Sequence, residues 1–80
     1  MEALIHELNS YETVRLVNLL KETKYLEDSG DNIFISMLSD DMKFLVNLNE
    51  TSMGDIYDNI DVITDILGHV ILTKIINDKF

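Results

Sequence analysis

From Ile56 onward the chain holds one helical register longer than anywhere else. Ile56, Ile60, Ile63, Leu67, Val70 and Ile71 recur at helical spacing and define one continuous apolar face. No proline interrupts it, and none occurs anywhere in the 80 residues. The spacing predicts a long C-terminal helix over residues 52–78. A helix with a single apolar face must bury it against a second layer, so the rest of the chain has to supply that layer. Ser52 and Asp55 approximate a capping pair at the start. Gly54 is tolerable near the first turn. Gly68, in mid-helix, costs up to about 1 kcal/mol relative to alanine, which predicts a bend or the close approach of another backbone.

Residues 2–24 also read as helical. Leu4, Leu8, Leu16, Leu19 and Leu20 form a broad helical stripe, while Val14 and Val17 fall outside it. The phase shifts near Asn9-Ser10, and Asn9 with Glu12 has capping-box spacing. One kinked helix and two helices (2–8 and 11–24) both fit, and the phase shift favours two. Asp28-Ser29-Gly30-Asp31-Asn32 is the clearest turn in the chain. After it the period changes. Met42, Phe44, Val46 and Leu48 alternate as in a half-buried strand, and Ile33–Leu38 is a short apolar run rich in β-branched and aromatic residues. Ser39-Asp40-Asp41 then serves as a hairpin loop, and Lys24–Glu27 can add a third short strand. A helix over 33–48 would set Asp41 beside its apolar stripe, which weighs against it. The expected fold is a single α+β domain over residues 1–80: one or two N-terminal helices, a β-hairpin or three-stranded antiparallel meander, and a long C-terminal helix packed on the sheet.

The charge is segregated. Between Glu27 and Asp65 lie ten acidic residues and one base, Lys43, which together account for the whole net charge of −9. The flanks carry five acids and five bases and cancel. Such a one-sided field selects basic partners and repels nucleic acid and anionic membranes. On the long helix, Asp55, Asp58, Asp61 and Asp65 fall within about 120° of arc, opposite the apolar face, with roughly one charge per 4–5 Å of rise. One strand of duplex nucleic acid carries a charge about every 3.4 Å, so a surface that grips phosphates could grip this helix. Asp28, Asp31, Asp40 and Asp41 extend the acidic set. The plainer account is that the aspartates form an ordinary solvent face, two of them favoured near the helix N-terminus by its dipole.

Towards its end the same helix becomes apolar all round. Leu72 and Ile76 project in line with the aspartates. A helix apolar on every side is buried on every side, which predicts either a central position or a second buried face such as a symmetric dimer through Leu72, Ile76 and Val62.

Catalytic and metal chemistry find little support. His6 and His69 are isolated in sequence, and there is no cysteine. Asp28-x-x-Asp31 lacks the ligand order of a calcium loop and reads as a turn. No phosphate loop or nucleophile elbow occurs, so no cofactor, no metal and no enzymatic activity are expected. Tyr11, Tyr25 and Tyr57 could anchor an interface. At 46% hydrophobic the chain is not disordered by composition. No apolar run approaches the roughly 18 residues of a membrane span, and the N-terminus lacks the pattern of a signal peptide. A cytoplasmic protein is expected, without direct nucleic-acid or membrane contact.

In general character, small, acidic and free of proline and cysteine, the chain is similar to phage-encoded inhibitors and nucleic-acid mimics. That resemblance is one of composition and rests on no motif. Two functions are carried forward: a non-enzymatic inhibitor that occupies a basic, nucleic-acid-binding surface of a target protein, and a structural or assembly subunit that self-associates through its apolar C-terminal helix.

Overall fold

Helical spacing of apolar residues governs every packed segment. The computed structural model describes residues 2–30, 32–49 and 55–79. Helices α1 (Glu2–Asn9), α2 (Thr13–Asp28), α3 (Asp40–Leu48) and α4 (Ile56–Lys79) follow in order, with one 3-10 turn at Ile35–Met37 before α3. At about 1.5 Å per residue the 24 residues of α4 rise about 36 Å, most of the molecule's 41 Å length. α4 is the spine of a four-helix bundle. α2 makes the largest interface with it, α1 and α3 pack on it, and α1 also touches α3.

The core forms where the four stripes meet. Ile60, Ile63, Leu67, Val70 and Ile71 of α4 join Leu4 and Leu8 of α1, Leu16, Leu19 and Leu26 of α2, and Met42 and Leu45 of α3 in one cluster. Tyr11, Ile33 and Leu38 close it from the connections. Each such aliphatic side chain, fully buried, contributes about 1.5–3 kcal/mol. The predicted inner face of α4 is this buried face.

The expected α+β fold is wrong. No strand occurs among the described residues, and the segments read as a hairpin are helical or irregular. Alternation would put Met42, Phe44, Val46 and Leu48 on one face. Instead Leu38, Met42, Leu45 and Asn49 are buried, while Phe44 is 48% exposed. Steps of four, three and four residues are the helical period. Ser39-Asp40-Asp41 is the N-terminus of α3 rather than a hairpin loop. Ser39 Oγ accepts a hydrogen bond from the Met42 N–H at 3.1 Å, and two aspartates in the first turn complement the helix dipole. A capping box would place a glutamate three residues on; here Glu22 of α2 takes that role across the interface. Its carboxylate accepts from the Ser39 N–H at 2.9 Å and from the Ser39 hydroxyl at 2.6 Å.

Lys24–Glu27, read as a possible third strand, forms the last turn of α2. That helix ends in the predicted turn. The N–H groups of Ser29 and Gly30 bond back to the Leu26 and Glu27 carbonyls, and Gly30 takes φ +60, a conformation natural to glycine. The break near Asn9 is present, dividing α1 from α2. The Asn9–Glu12 capping box is not the means: Glu12 is the cap residue and makes no side-chain cap bond, while Ser10 Oγ donates to the Glu7 carbonyl at 2.6 Å. At the start of α4, Asp55 Oδ1 accepts from the Asp58 N–H at 2.9 Å, so Asp55 is itself the cap. Ser52 and Gly54 lie outside the described residues. A Cβ on Gly68 would meet nothing within 4 Å, so among the described residues no other segment's backbone approaches it.

Candidate functional site

Two polar links fix the orientation of α4. Asn49, buried at the end of α3, donates through Nδ2 to Asn59 Oδ1 at 2.7 Å, and Asn59 Nδ2 donates to the Val46 carbonyl at 3.2 Å. Further along, Thr64 Oγ1 lies 2.7 Å from Glu27 Oε1 and 2.8 Å from the Ile60 carbonyl, two acceptors for its one proton. With the inner face buried and these links on its flanks, α4 turns a fixed stripe to solvent.

The first half of that stripe carries Asp55, Asp58, Asp61 and Asp65, all exposed. The Thr64–Glu27 contact brings the acidic end of α2 to the same helix. Thr64 precedes Asp65 and lies one turn after Asp61. A shallow groove of about 390 Å³ at this junction is lined by Leu20, Lys24, Glu27, Asp28 and Thr64. Asp28 thus shares a groove with Thr64 of α4, with Lys24 as the one cation among its lining residues. Nothing local in the sequence announces this approach, because Glu27 and Thr64 are distant in the chain.

The remaining predicted acids divide. Asp40 is exposed in the first turn of α3. Asp31 lies outside the described residues. Asp41 is engaged elsewhere: Arg15 of α2 donates from Nη2 to Asp41 Oδ1 at 2.8 Å and from Nε to Oδ2 at 3.0 Å. That bidentate bond holds the Asp41 carboxyl below its ordinary range and pushes the guanidinium up. The Arg15 guanidinium also lies 3.7 Å from the centroid of the Tyr11 ring. Tyr11 is 5% exposed, and its hydroxyl donates to Glu7 Oε2 at 2.9 Å. Burial, and then the Glu7 carboxylate, push the Tyr11 phenol up to about 12. Glu7, Tyr11, Arg15 and Asp41 therefore form a clamp across α1, α2 and α3, and Asp41 serves the fold. Arg15–Asp41 is the single ion pair among the described residues, so Asp58, Asp61 and Asp65 have no cationic partner among them.

The second half of the stripe is apolar. Leu72 is 57% exposed, Ile75 43% and Ile76 48%. The expected alternative of a central, fully surrounded helix end is therefore not met within one chain. Val62, expected in one interface with Leu72 and Ile76, is half-buried and lies in the acidic half of α4. Ile75, absent from the expected set, is legible as the neighbour one turn from Leu72.

Both histidines are exposed, and no group of three or more His, Asp or Glu residues among the described residues could hold a metal ion. No described helix is long and apolar enough to cross a membrane. Comparisons with protein-family models, with curated proteins and with solved structures found no match.

Proposed function

We propose that this is a non-enzymatic binding protein whose acidic α4 face occupies a basic, nucleic-acid-binding surface of a target protein. The supporting observation is that Asp58, Asp61 and Asp65 stand exposed along one stripe of a rigid helix without a cationic partner among the described residues, with Asp28 and Glu27 brought to the same helix at Thr64. Asp55 and Asp40 add charge at two helix N-termini. A regular row of carboxylates on a fixed helix meets a basic surface with little ordering cost, and like charge keeps the protein off nucleic acid and anionic membrane. Inhibition by mimicry of a charged strand follows from the charge spacing.

The test is capture from a bacterial lysate on the wild-type protein and on a D58N/D61N/D65N variant, washed at rising salt. The proposal expects a specific partner that is retained by the wild type, released as salt rises, and lost by the variant, since exposed charges are screened within about 8–10 Å at physiological ionic strength. A partner held equally by the variant, or held unchanged at high salt, counts against it.

A second reading, an assembly subunit working through the end of α4, is favoured by one observation, the exposure of Leu72, Ile75 and Ile76. Leu72→Asp separates the two. It leaves acidic-face binding intact and removes assembly.

A further inference from the structure

We propose that the groove between α2 and α4 holds one arginine side chain of a basic partner protein. This deepens the acidic-face reading and rests on it for the nature of the partner.

Helix spacing brings two carboxylates to one side of α2. Lys24, Glu27 and Asp28 stand at i, i+3 and i+4, so the lysine is within reach of both acids. It pairs with neither, since Arg15–Asp41 is the single ion pair among the described residues. A base placed before its acids is also the weaker orientation for such helical pairs. Glu27 is held from the other side by α4. Thr64 Oγ1 lies 2.7 Å from Glu27 Oε1 and 2.8 Å from the Ile60 carbonyl, and its one proton serves only one of them. The Glu27 side chain therefore receives at most one hydrogen bond among the described residues. A half-buried carboxylate with spare acceptor positions and no cation is short of donors.

The groove gives that shortage a shape. Its volume is about 390 Å³, at the small end of ligand pockets, which run from about 300 to 1,000 Å³. Leu20, partly buried against the core, forms an apolar wall. Glu27, Asp28 and Thr64 supply oxygens. An arginine divides in the same way, with a methylene stem for the wall and a planar fork of donors for the oxygens. A carboxylate receives that fork through two parallel bonds, which a lysine ammonium cannot match. Two acids against one base leave the lining net negative, as a cation requires. Thr64 adjoins Asp65 and follows Asp61 by one turn, so an arginine seated here brings its neighbours in the partner onto the acidic stripe. One desolvated arginine ringed by exposed charge contacts is the pattern of an interface hot spot.

The test titrates three probes into isotope-labelled protein and follows the amide signals by NMR. They are acetyl-arginine amide, acetyl-lysine amide and acetyl-citrulline amide, the last with the arginine shape and no charge. The expected result is saturable shifts at Leu20, Lys24, Glu27, Asp28 and Thr64, with the arginine probe bound about tenfold tighter than citrulline and tighter than lysine. Glu27→Gln and Asp28→Asn should each weaken it, and Lys24→Met, which removes the competing cation, should strengthen it. Asp28 is exposed, so its variant keeps the test sound if Glu27→Gln disturbs the fold. No saturation up to about 10 mM, shifts confined to Asp58, Asp61 and Asp65, citrulline bound as tightly as arginine, or binding unchanged by both acid variants would overturn the proposal. So would free arginine binding tighter than the blocked probe, which would assign the groove to a free amino acid. Partner capture separates the two readings. A partner lost by D58N/D61N/D65N yet held fully by Glu27→Gln removes the arginine anchor and leaves the acidic face standing. A groove that takes the arginine probe in a protein that captures no basic partner overturns the acidic-face reading, and the partner assignment with it.

Discussion

Before Gly68, α4 shows water Asp58, Asp61 and Asp65; beyond it, the same stripe shows Leu72, Ile75 and Ile76. The inner face does not change in kind along the helix. Ile60 and Ile63 in the first half and Leu67, Val70 and Ile71 in the second are buried alike. The fold is held by what the two halves share; they differ in the stripe that each turns to solvent. Clustered aspartates repel their i,i+3 and i,i+4 neighbours by only about 0.2–0.5 kcal/mol per pair, a cost a packed helix absorbs. Exposed leucine and isoleucine cost the fold little, but they leave apolar area for a partner to bury.

The comparison breaks most readily on the inner face. Ile63→Ala and Leu67→Ala should each destabilise the monomer by about 2–5 kcal/mol in urea unfolding. Leu72→Ala, at a concentration where the protein is monomeric, should stay within about 0.5 kcal/mol. Equal costs for Leu67→Ala and Leu72→Ala would mean that the second half has no free outer face. The same contrast tests α3, where Leu45→Ala should be costly and Phe44→Ala much less so.

Next in size is an effect remote from α4. The phenol of Tyr11 is raised from 10.0 to about 12 in the folded protein. Its contribution to stability is therefore complete below pH 10 and is lost as pH rises towards 12, because ionisation then favours the unfolded chain. Alkaline melting curves should show this loss, and Tyr11→Phe should remove that component. A Tyr11 phenol titrating near 10 in absorbance would show that the clamp of Glu7, Tyr11, Arg15 and Asp41 is not formed.

Smaller effects refine the outer stripe. Gly68→Ala should stabilise the monomer by up to about 1 kcal/mol, since the new methyl group meets open space and alanine favours the helix. Neutralising Asp61 or Asp65 to asparagine should change stability by only a few tenths of a kcal/mol, as expected where acidic repulsion is weak. A large loss on neutralising either residue would show that these carboxylates hold the fold instead of facing a partner.

Where the sequence was readable, the signals lay within one element. The register of α4, the break beyond Asn9 and the turn at Gly30 each depend on residues close in the chain. Residues 33–48 misled because Met42, Phe44, Val46 and Leu48 satisfy alternation, while the local signals for α3, the Ser39 cap and the Leu38, Met42, Leu45 period, are backed by contacts from α2 that lie far away in the chain. Glu22 completes the cap on Ser39, and Arg15 compensates Asp41, the residue that had argued against a helix. The candidate site divides the same way. The aspartates of α4 share a face by helix geometry alone, whereas the approach of Glu27 and Asp28 requires the packed α2–α4 pair.

The acidic half of α4 is tested most directly by competition. A captured partner is loaded with a fluorescent nucleic-acid duplex and titrated with the Leu72→Asp variant, which keeps the aspartates and lacks the apolar seam. The account predicts that duplex anisotropy falls to its free value with one protein bound per duplex displaced, and that D58N/D61N/D65N displaces none. A stable ternary complex of partner, duplex and protein, or displacement that survives loss of those three charges, would contradict it.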